Sequence, residues 1–585
     1  MNEFFRELKR RNVYRVAIGY AVVGWLVVQV AATLVPALLL PPTITTAVVL
    51  VTLLGFPVAL VLAWAYELTP EGIFKTVDAD ARPRRPKSGR LFAVVITCAA
   101  IAAAGVFLFN RIINRGTLQS PTEPAERSIA VLPFSDLSPT KDQDYFCDGM
   151  SEEILDAVAK IEGVRVVART SSFSFKGKGV DAAEIGRRLG VRHVLDGSLR
   201  REGDRVRVWA QLVDARTGFH LWSDTYEREL HGIFALQDEI TRNIVAALRT
   251  KLTGAAQEAV AARRPQNSEA HQLYLRGRYH WNKRDPENFR KGIDFYQRAI
   301  EADPEYALAY AGLADAFISL GFHGYGALSP LDAMPKARAA AEKAIALDDS
   351  LAEAHVSLAT VKHLFDWNVP AAEQEFRRAI ELNASYATAH HWYALLLALE
   401  GRHDESLREI HKAQELDPLS LIINMNVGWM LYFARDYDAA IDQCRRTIDM
   451  DPRFPHGHWM LGQSYREKKM YAEAIGELQR ALDASGGSAR NRATLGHAFA
   501  VAGHRAEAEQ AIAALRREAA DRYFPPYFIG AIYFGLGDLD EGFAWLEKAL
   551  EERSAGLMFL KADPIFDSVR DDPRFRSLVE RVTAR

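Results

Sequence analysis

Length, composition and charge limit what this chain can be. It has 585 residues, with 72 basic and 75 acidic side chains and a formal net charge of −3. A chain of this length is expected to divide into several domains, and its balanced charge gives no reason to expect nucleic acid as a partner. The three cysteines, Cys98, Cys147 and Cys444, show no CxxC spacing, which argues against a disulfide framework and a zinc site.

Residues 1–110 contain three apolar runs, at about 13–40, 44–66 and 91–109. Runs of ~18 or more apolar residues are typical of transmembrane helices, whereas the apolar region of a cleaved signal peptide is shorter, at ~7–15 residues. Basic residues crowd the N-terminus and the 67–90 loop, and basic loops favour the cytoplasmic side. The sequence therefore predicts a three-helix anchor in a bacterial inner membrane, with a cytoplasmic N-terminus and the later domains in the periplasm.

Residues 111–127 are predicted to be a linker, and strand and helix patterns then alternate over 128–252, as in a small α/β domain. The predicted strands are Ser128–Phe134, Val164–Ala168 and His193–Leu199, followed by a hairpin of Arg205–Val213 with Phe219–Tyr226. The predicted helices are Met150–Ile161, Ala182–Leu189 and Ile233–Leu252.

Several motifs of this segment are familiar as a block. They are Ser-Ile-Ala-Val-Leu-Pro-Phe (128–134), Tyr-Phe-Cys-Asp-Gly-Met-Ser-Glu-Glu-Ile (145–154), Ala-Arg-Thr-Ser-Ser-Phe (168–173), Val-Leu-Asp-Gly-Ser-Leu-Arg-Arg (194–201) and His-Leu-Trp-Ser (220–223). The segment resembles the TolB amino-terminal-like domain, which in bacteria often precedes tetratricopeptide repeats in membrane proteins and follows class III adenylate cyclase domains. The resemblance implies a fold and a membrane or periplasmic setting, and it brings no catalytic residues.

The region from 268 to 555 repeats itself. Small residues recur every 34 positions at Ala394, Gly428, Gly462, Gly496 and Gly530, and a second series runs through Ala379, Ala413, Thr447, Ala481, Leu515 and Ala549. Thirty-four residues is the period of the tetratricopeptide repeat, a pair of helices that stacks into a superhelix, and the region resembles that family. Small residues would let the paired helices approach closely.

Two segments depart from the regular period, and the sequence predicts a loop for one and a capping helix for the other. About eleven extra residues near Gly321–Ala333 indicate a long loop between helices. Residues 556–585 resemble the capping helix of such an array, because a terminal repeat needs a polar outer face.

No residues stand out to carry catalysis or hold a cofactor or metal. Gly177-Lys178-Gly179 lacks the third glycine of a dinucleotide fingerprint, and neither His390-His391 nor His456-Gly457-His458 has the i, i+4 spacing of a helical zinc site. Cys147 precedes the predicted helix N-terminus, which could lower its pKa, although no partner residue is indicated. The sequence therefore predicts that the protein is not an enzyme.

The repeat register places a set of residues on first helices, where they would line a concave groove. Trp, Tyr and Arg are enriched in binding hot spots, although some members of the set could instead pack between repeats. The predicted groove residues are His391, Met425, Trp429, Tyr432, Trp459, Gln463, Arg466, His497 and Tyr527.

The prediction from sequence is a multidomain chain: three transmembrane helices, a small α/β domain, and an all-α tetratricopeptide superhelix with a C-terminal cap. Its predicted function is that of a membrane-anchored scaffold that binds a protein or peptide in the groove of the repeats. The alternative is a regulatory or sensory component of a cyclic-nucleotide signalling system that lacks a catalytic domain of its own. Its oligomeric state and the identity of the partner are left open.

Overall fold

The chain forms two compact units, Met1–Thr117 and Leu118–Arg585. The computed structural model describes residues 20–29, 52, 56, 66–69 and 72–75 of the first unit. In the second unit it describes residues 125–159, 161, 163–229, 233–247, 267–322, 328–521 and 523–583.

The described part of the first unit corrects the prediction of a membrane anchor. Residues 20–29 are helical, and strands β1 (Tyr66–Thr69) and β2 (Gly72–Lys75) form an antiparallel hairpin. A helix needs ~20 largely apolar residues to cross a bilayer, and no helix among the described residues is both long and apolar enough. Most of the predicted spans, at 13–40, 44–66 and 91–109, lie outside the described residues. On this finding, the three transmembrane helices of the predicted fold are wrong, together with the inner-membrane location and the cytoplasmic and periplasmic assignments derived from them.

The second unit begins with a six-stranded mixed sheet. Its strands run in the order β5–β3–β6–β7–β8, with β4 beside β6. The β5–β3–β6 and β4–β6 pairings are parallel, and the long strands β6, β7 and β8 are antiparallel. The strands are β3 (Ser128–Val131), β4 (Ser135–Asp136), β5 (Arg165–Val166), β6 (His193–Glu202), β7 (Arg205–Asp214) and β8 (His220–Glu229).

Helices cover both faces of this sheet. Helices α1 (Asp144–Ala159) and α4 (Ile233–Ala247) share one hydrophobic core with strand β3, and α3 (Ala182–Leu189) packs on the opposite side. Coverage on both sides explains why every residue of β3 is buried. The short helix α2 (Arg169–Phe173) is absent from the sequence prediction.

Helix α3 has the predicted bounds because its local signals are complete. The Asp181 side chain accepts a hydrogen bond from the Glu184 amide at the helix start, and Gly190 ends the helix with a φ of +62°. Helix α1 instead begins at Asp144, ahead of the predicted Met150.

The remainder of the second unit is a helical array. Between residues 268 and 551 of the described chain, sixteen helices form eight consecutive pairs. The pairs are α5 (Ser268–Trp281) with α6 (Pro286–Ala302), α7 (Ala307–Gly321) with α8 (Pro330–Leu347), α9 (Ala352–Leu364) with α10 (Val369–Leu382), α11 (Ala387–Leu399) with α12 (His403–Leu416), α13 (Leu421–Phe433) with α14 (Tyr437–Met450), α15 (Pro455–Glu467) with α16 (Tyr471–Ala484), α17 (Ala489–Val501) with α18 (Arg505–Asp521), and α19 (Pro526–Leu536) with α20 (Leu539–Glu551).

The structure places the predicted insertion between two helices and the predicted cap after the last helix pair. The insertion lies between α7 and α8, and Pro330 occupies the first turn of α8. The chain after α20 forms two 3₁₀ turns, Ala555–Phe559 and Pro564–Val569, before the last helix α21 (Pro573–Thr583). The predicted single capping helix is therefore only the last part of this segment.

The recurring small residues lie where the two helices of a pair meet. A Cβ atom at Gly462 would lie 2.6 Å from the Leu478 Cγ of the partner helix, and one at Gly428 would lie 2.9 Å from Cys444 Sγ. Both distances are shorter than real Cβ contacts, so a larger residue at either position would force its neighbour to shift. The packing reason inferred from the 34-residue ladder is confirmed at these two positions.

The sheet and the repeats are joined within the second unit at two places. At the first, α1 packs on α5, and a Cβ at Gly149 would lie 2.6 Å from Leu275 Cδ2. Glu152 of α1 accepts hydrogen bonds from Arg169 Nε at 3.0 Å and from the guanidinium of Arg278 of α5. Burial alone would raise the pKa of Glu152, but the charges of Arg278 and Arg169 hold it below its ordinary value.

The second junction joins α2 to the turn that follows α12. The Asp417 carboxylate accepts hydrogen bonds from the Ser171 amide at 2.9 Å and from the Ser171 hydroxyl. The Ala168 amide donates to the Leu416 carbonyl at 2.8 Å. Asp417 and Pro418 lie in the turn between two consecutive helix pairs, and here that turn also binds the α/β segment.

Candidate functional site

The predicted groove residues lie at three equivalent positions of successive first helices. His391, Met425 and Trp459 share the first position, Trp429, Gln463 and His497 share the second, and Tyr432 and Arg466 share the third, each separated by 34 residues. Tyr527 lies on α19, the first helix of the last pair. The common register explains why sequence reasoning could group them.

Most of these side chains meet around one cavity. Trp429, Trp459, Gln463, His497 and Tyr527 line a cavity of ≈ 30 Å³. Tyr432 lies beside it and contacts Asp563, and Arg466 donates to the Tyr432 hydroxyl. We call these seven residues the channel. His391 and Met425 do not line this cavity: the His391 ring accepts a hydrogen bond from Asn426 Nδ2 at 2.5 Å, and Met425 lies in the hydrophobic core.

The channel is occupied by the protein's own C-terminal segment. Residues 554–570, which we call the strap, contain both 3₁₀ turns and are tightly packed against the first helices. Leu557, Phe559, Leu560 and Phe566 are each at most 2% exposed. The predicted open groove is therefore filled.

An aromatic contact holds the first half of the strap. The Phe559 ring stacks on the Trp429 indole with ring centroids 5.5 Å apart and an angle of 12° between the planes. Trp459 meets Trp429 edge-on at 5.5 Å, and its indole N–H donates to the Thr494 hydroxyl at 3.1 Å. Stacked and edge-on aromatic pairs contribute stabilisation beyond the area that they bury.

A carboxylate holds the middle of the strap. Asp563 Oδ1 lies 3.2 Å from the Tyr432 hydroxyl, and Asp563 Oδ2 lies 3.3 Å from the Tyr527 hydroxyl. Arg466 Nη2 donates to the Tyr432 hydroxyl at 2.9 Å and so places a positive charge behind this contact. Burial raises the pKa of Asp563 although the Ile565 amide and the Arg466 charge act in the opposite direction.

Two polar atoms of the channel have no hydrogen-bond partner among the residues that the structure describes. They are Arg466 Nη1 and His497 Nδ1, and both are buried. Burial, followed by the nearby Arg466 charge, lowers the pKa of His497 well below its ordinary value, so its ring is neutral at physiological pH. The strap thus packs closely against the aromatic side chains of the channel but leaves two of its polar atoms without a hydrogen bond.

Contacts on both sides of the channel hold the ends of the strap. Just before it, the Arg553 guanidinium lies 5.3 Å from the centre of the Phe365 ring and 5.0 Å from that of Trp367, near the end of α9. Near its end, Asp567 accepts a hydrogen bond from Arg435 Nη2 at 2.9 Å. The strap and the arginine that precedes it therefore contact residues from the third to the last helix pair.

The other residues considered for chemistry have structural surroundings. His390 Nδ1 lies 2.5 Å from the Glu409 carboxylate, and His458 Nδ1 lies 2.7 Å from Glu477, so each histidine links the two helices of its pair. No cluster suited to a metal ion occurs in the described part of the chain.

Cys147 lies inside α1 rather than ahead of a helix N-terminus. The Cys147 side chain is fully buried, and burial raises its pKa. This is the opposite of the shift that an exposed helix N-terminus would produce.

Comparison with known proteins identifies the helical array. Family models described as tetratricopeptide repeat match residues 368–420, 428–489 and 527–555. Over these residues the array consists of tetratricopeptide repeats, which confirms that part of the sequence prediction. The comparisons do not support the resemblance of residues 128–252 to the TolB amino-terminal-like domain, which is withdrawn together with the membrane setting that it implied.

Curated relatives match parts of the chain. It is 40% identical over 239 residues to "Putative adenylate cyclase 3" of Rhizobium meliloti, which is 41% of this chain and 40% of the relative. It is 21% identical over 338 residues to "Transcriptional regulator HilA" of Salmonella typhimurium, which is 57% of this chain and 59% of the relative. The chain thus spans between two fifths and three fifths of the length of these relatives.

Two solved structures are similar to parts of the chain. "YrrB: a TPR protein with an unusual peptide-binding site" is 21% identical, with 32% of this chain and 91% of YrrB covered and a TM-score of 0.24. "APC/C hetero-tetramer Cut9-Hcn1" is 14% identical, with 60% of this chain and 63% of the Cut9-Hcn1 chain covered and a TM-score of 0.38.

Proposed function

We propose that this protein is a non-enzymatic scaffold that binds a protein or peptide partner through the channel of its tetratricopeptide repeats. The observation that carries the proposal is that the channel already binds a peptide segment, the strap, through an aromatic stack and a carboxylate contact.

The chemistry of the channel favours a partner with an aromatic or apolar anchor and an acidic group. Trp429 and Trp459 present indole rings, and Arg466 supplies a positive charge through the Tyr432 hydroxyl. Trp, Tyr and Arg are the side chains most often found at binding hot spots, and an extended or helical peptide in a groove is a recurring recognition mode.

Crosslinking in intact cells tests the proposal. We expect the full chain to form a specific crosslinked product that Trp429→Ala reduces more than tenfold, because truncation of a hot-spot residue costs ~2 kcal/mol or more and ~1.4 kcal/mol is one decade.

Trp545→Ala is the matched control, since Trp545 is also half-buried but lies on a second helix beside Arg516. The melting temperature of each variant is measured alongside. Equal crosslinking by the wild type and a folded Trp429→Ala variant would refute the channel as the binding site.

A second candidate function rests on the relatives. One is described as an adenylate cyclase and another as a transcriptional regulator, which favours a regulatory segment that is joined to different output domains. In that case the protein would be a component of a cyclic-nucleotide signalling system. Measuring cyclic AMP formation from ATP by the purified chain, and cyclic AMP levels in cells with and without it, separates this candidate from the scaffold.

A further inference from the structure

We infer that the strap is an intramolecular substitute for the partner's binding segment, and that a partner enters the channel by displacing it. This inference rests on the proposed function and adds the chemistry of the ligand. The partner segment carries an aromatic side chain four residues before a carboxylate, as Phe559 precedes Asp563, with a further hydrogen-bond acceptor near that carboxylate.

The contacts of the strap resemble those of a bound peptide. One aromatic ring stacks on Trp429, and one carboxylate receives two tyrosine hydroxyls, from Tyr432 and Tyr527. Those two tyrosines lie on helices α13 and α19, so a single carboxylate joins the fifth helix pair of the array to the eighth. Phe559, which stacks on Trp429, and Asp563, which contacts both tyrosines, are four residues apart in the strap.

The polar side of the channel shows that the strap is an incomplete occupant. Arg466 Nη1 and His497 Nδ1 are buried without a partner in the described chain, and the ≈ 30 Å³ cavity lies between His497, Gln463 and Asp563. An unpaired buried donor is costly, and a ligand that pairs it gains relative to one that does not. A partner with one more acceptor within reach of Arg466 Nη1 would therefore bind more favourably than the strap.

The covalent connection explains how an incomplete occupant holds the channel. A segment tethered to its own site has an effective concentration of about millimolar when the linker is short. The strap is tethered on both sides, by Glu552 and Arg553 at the end of α20 and by α21, whose Arg574 and Arg581 pair with Asp540 and Glu547 of α20. A partner in trans must compete with this local concentration.

The probe for this inference is a fluorescent peptide of residues 553–585, titrated into the full chain and followed by anisotropy. The chains compared are the wild type, the strap variant Phe559→Ala with Asp563→Asn, and the matched control Asp571→Asn, whose side chain is fully exposed. We expect the peptide to bind the strap variant at least tenfold more tightly than the wild type or the control. A peptide that carries the same two strap substitutions should bind at least tenfold more weakly.

Equal affinity of the peptide for all three chains would overturn the inference. If the strap variant does not fold, a nicked chain decides: a protease site is inserted between Glu552 and Arg553 and cut after folding. The labelled peptide should then exchange into the nicked chain. Unfolding on cleavage, or a fragment that never exchanges, would show that the strap is a permanent part of the core.

The two proposals fail separately. Loss of the cellular crosslink in Trp429→Ala together with no peptide exchange would keep the scaffold function and remove the strap's role. Peptide exchange with no effect of Trp429→Ala on crosslinking would keep the strap as an exchangeable occupant of the channel. It would remove the channel as the site that binds the cellular partner.

Discussion

The junction between α2 and the Asp417 turn yields a quantitative prediction about pH. Asp417 is 4% exposed and accepts two hydrogen bonds from Ser171. Burial raises the pKa of Asp417 to about 6, from an ordinary value of 3.8. The folded protein therefore retains a proton on this carboxyl at pH values where the unfolded chain has released it.

The sign and size of the effect follow from linkage. Because the folded pKa lies above the unfolded one, the stability from this group is fully present below pH 3.8 and is lost as the pH rises through about 6. The difference between the two pKa values corresponds to ~3 kcal/mol of free energy of unfolding. In Asp417→Asn the side chain is neutral at every pH and still presents an acceptor to Ser171.

The assay is urea unfolding of the full chain between pH 4 and pH 8. We expect the free energy of unfolding of Asp417→Asn, relative to the wild type, to rise by up to ~3 kcal/mol across this range. The control is Asp451→Asn, the equivalent position of the next repeat, where the carboxylate accepts from the Arg453 amide at 2.9 Å. Identical pH profiles for the two variants would refute the reasoning that burial at the α2 junction sets the protonation of Asp417.

Three further predictions follow from packing and burial. Gly462→Ala should lower the free energy of unfolding by ~1–3 kcal/mol because the new methyl group overlaps Leu478. The same substitution should cost less in a Leu478→Ala background, and an equal cost in both backgrounds, measured by denaturant unfolding, would contradict this. Arg466→Ala should lower the free energy of unfolding by ~3–5 kcal/mol, because it breaks an ion pair with Glu467 in which the arginine side chain is 2% exposed. An unchanged midpoint of denaturant unfolding would show that this ion pair does not stabilise the fold. Cys147 and Cys444 should resist thiol reagents at pH 8 until denaturant is added, as read by mass spectrometry of each peptide, and native labelling would show that the helices around them open.

The predicted hot-spot role of Arg466 needs a structural reinterpretation. The repeat register placed it in the groove, and the structure does bring it to the channel beside Tyr432. Its burial means that truncation changes stability as well as binding, which is why Trp429 is the better position for a binding test. Trp429 is only partly buried, and its ring faces the strap.

The strap itself was assigned to the cap by sequence reasoning. Its Asp563-Pro564 pair is like Asp417-Pro418 and Asp451-Pro452, which separate repeats, and the helical signal of α21 follows closely. One signal was available in the sequence: Phe559, Leu560 and Phe566 are large apolar residues in a segment predicted to have a polar outer face. A polar cap does not need so many buried side chains.

The sequence alone determined the helical array, because a repeat is a local property. The 34-residue spacing of small residues reflects contacts within one helix pair, such as Gly462 against Leu478, and these recur wherever the spacing recurs. Local capping in the same way determined helix α3, between Asp181 and Gly190.

Only the tertiary structure decided which distant segments of the chain pack against the array. Tyr432 and Asp563 are 131 residues apart, and Ser171 and Asp417 are 246 apart. No periodicity links such residues, since their contact depends on how the chain returns to the array after the last repeat and on how the sheet packs against it. The sequence register could therefore place Trp429, Tyr432 and Arg466 side by side, whereas the burial of Phe559 and Asp563 among them follows from long-range packing of the folded chain.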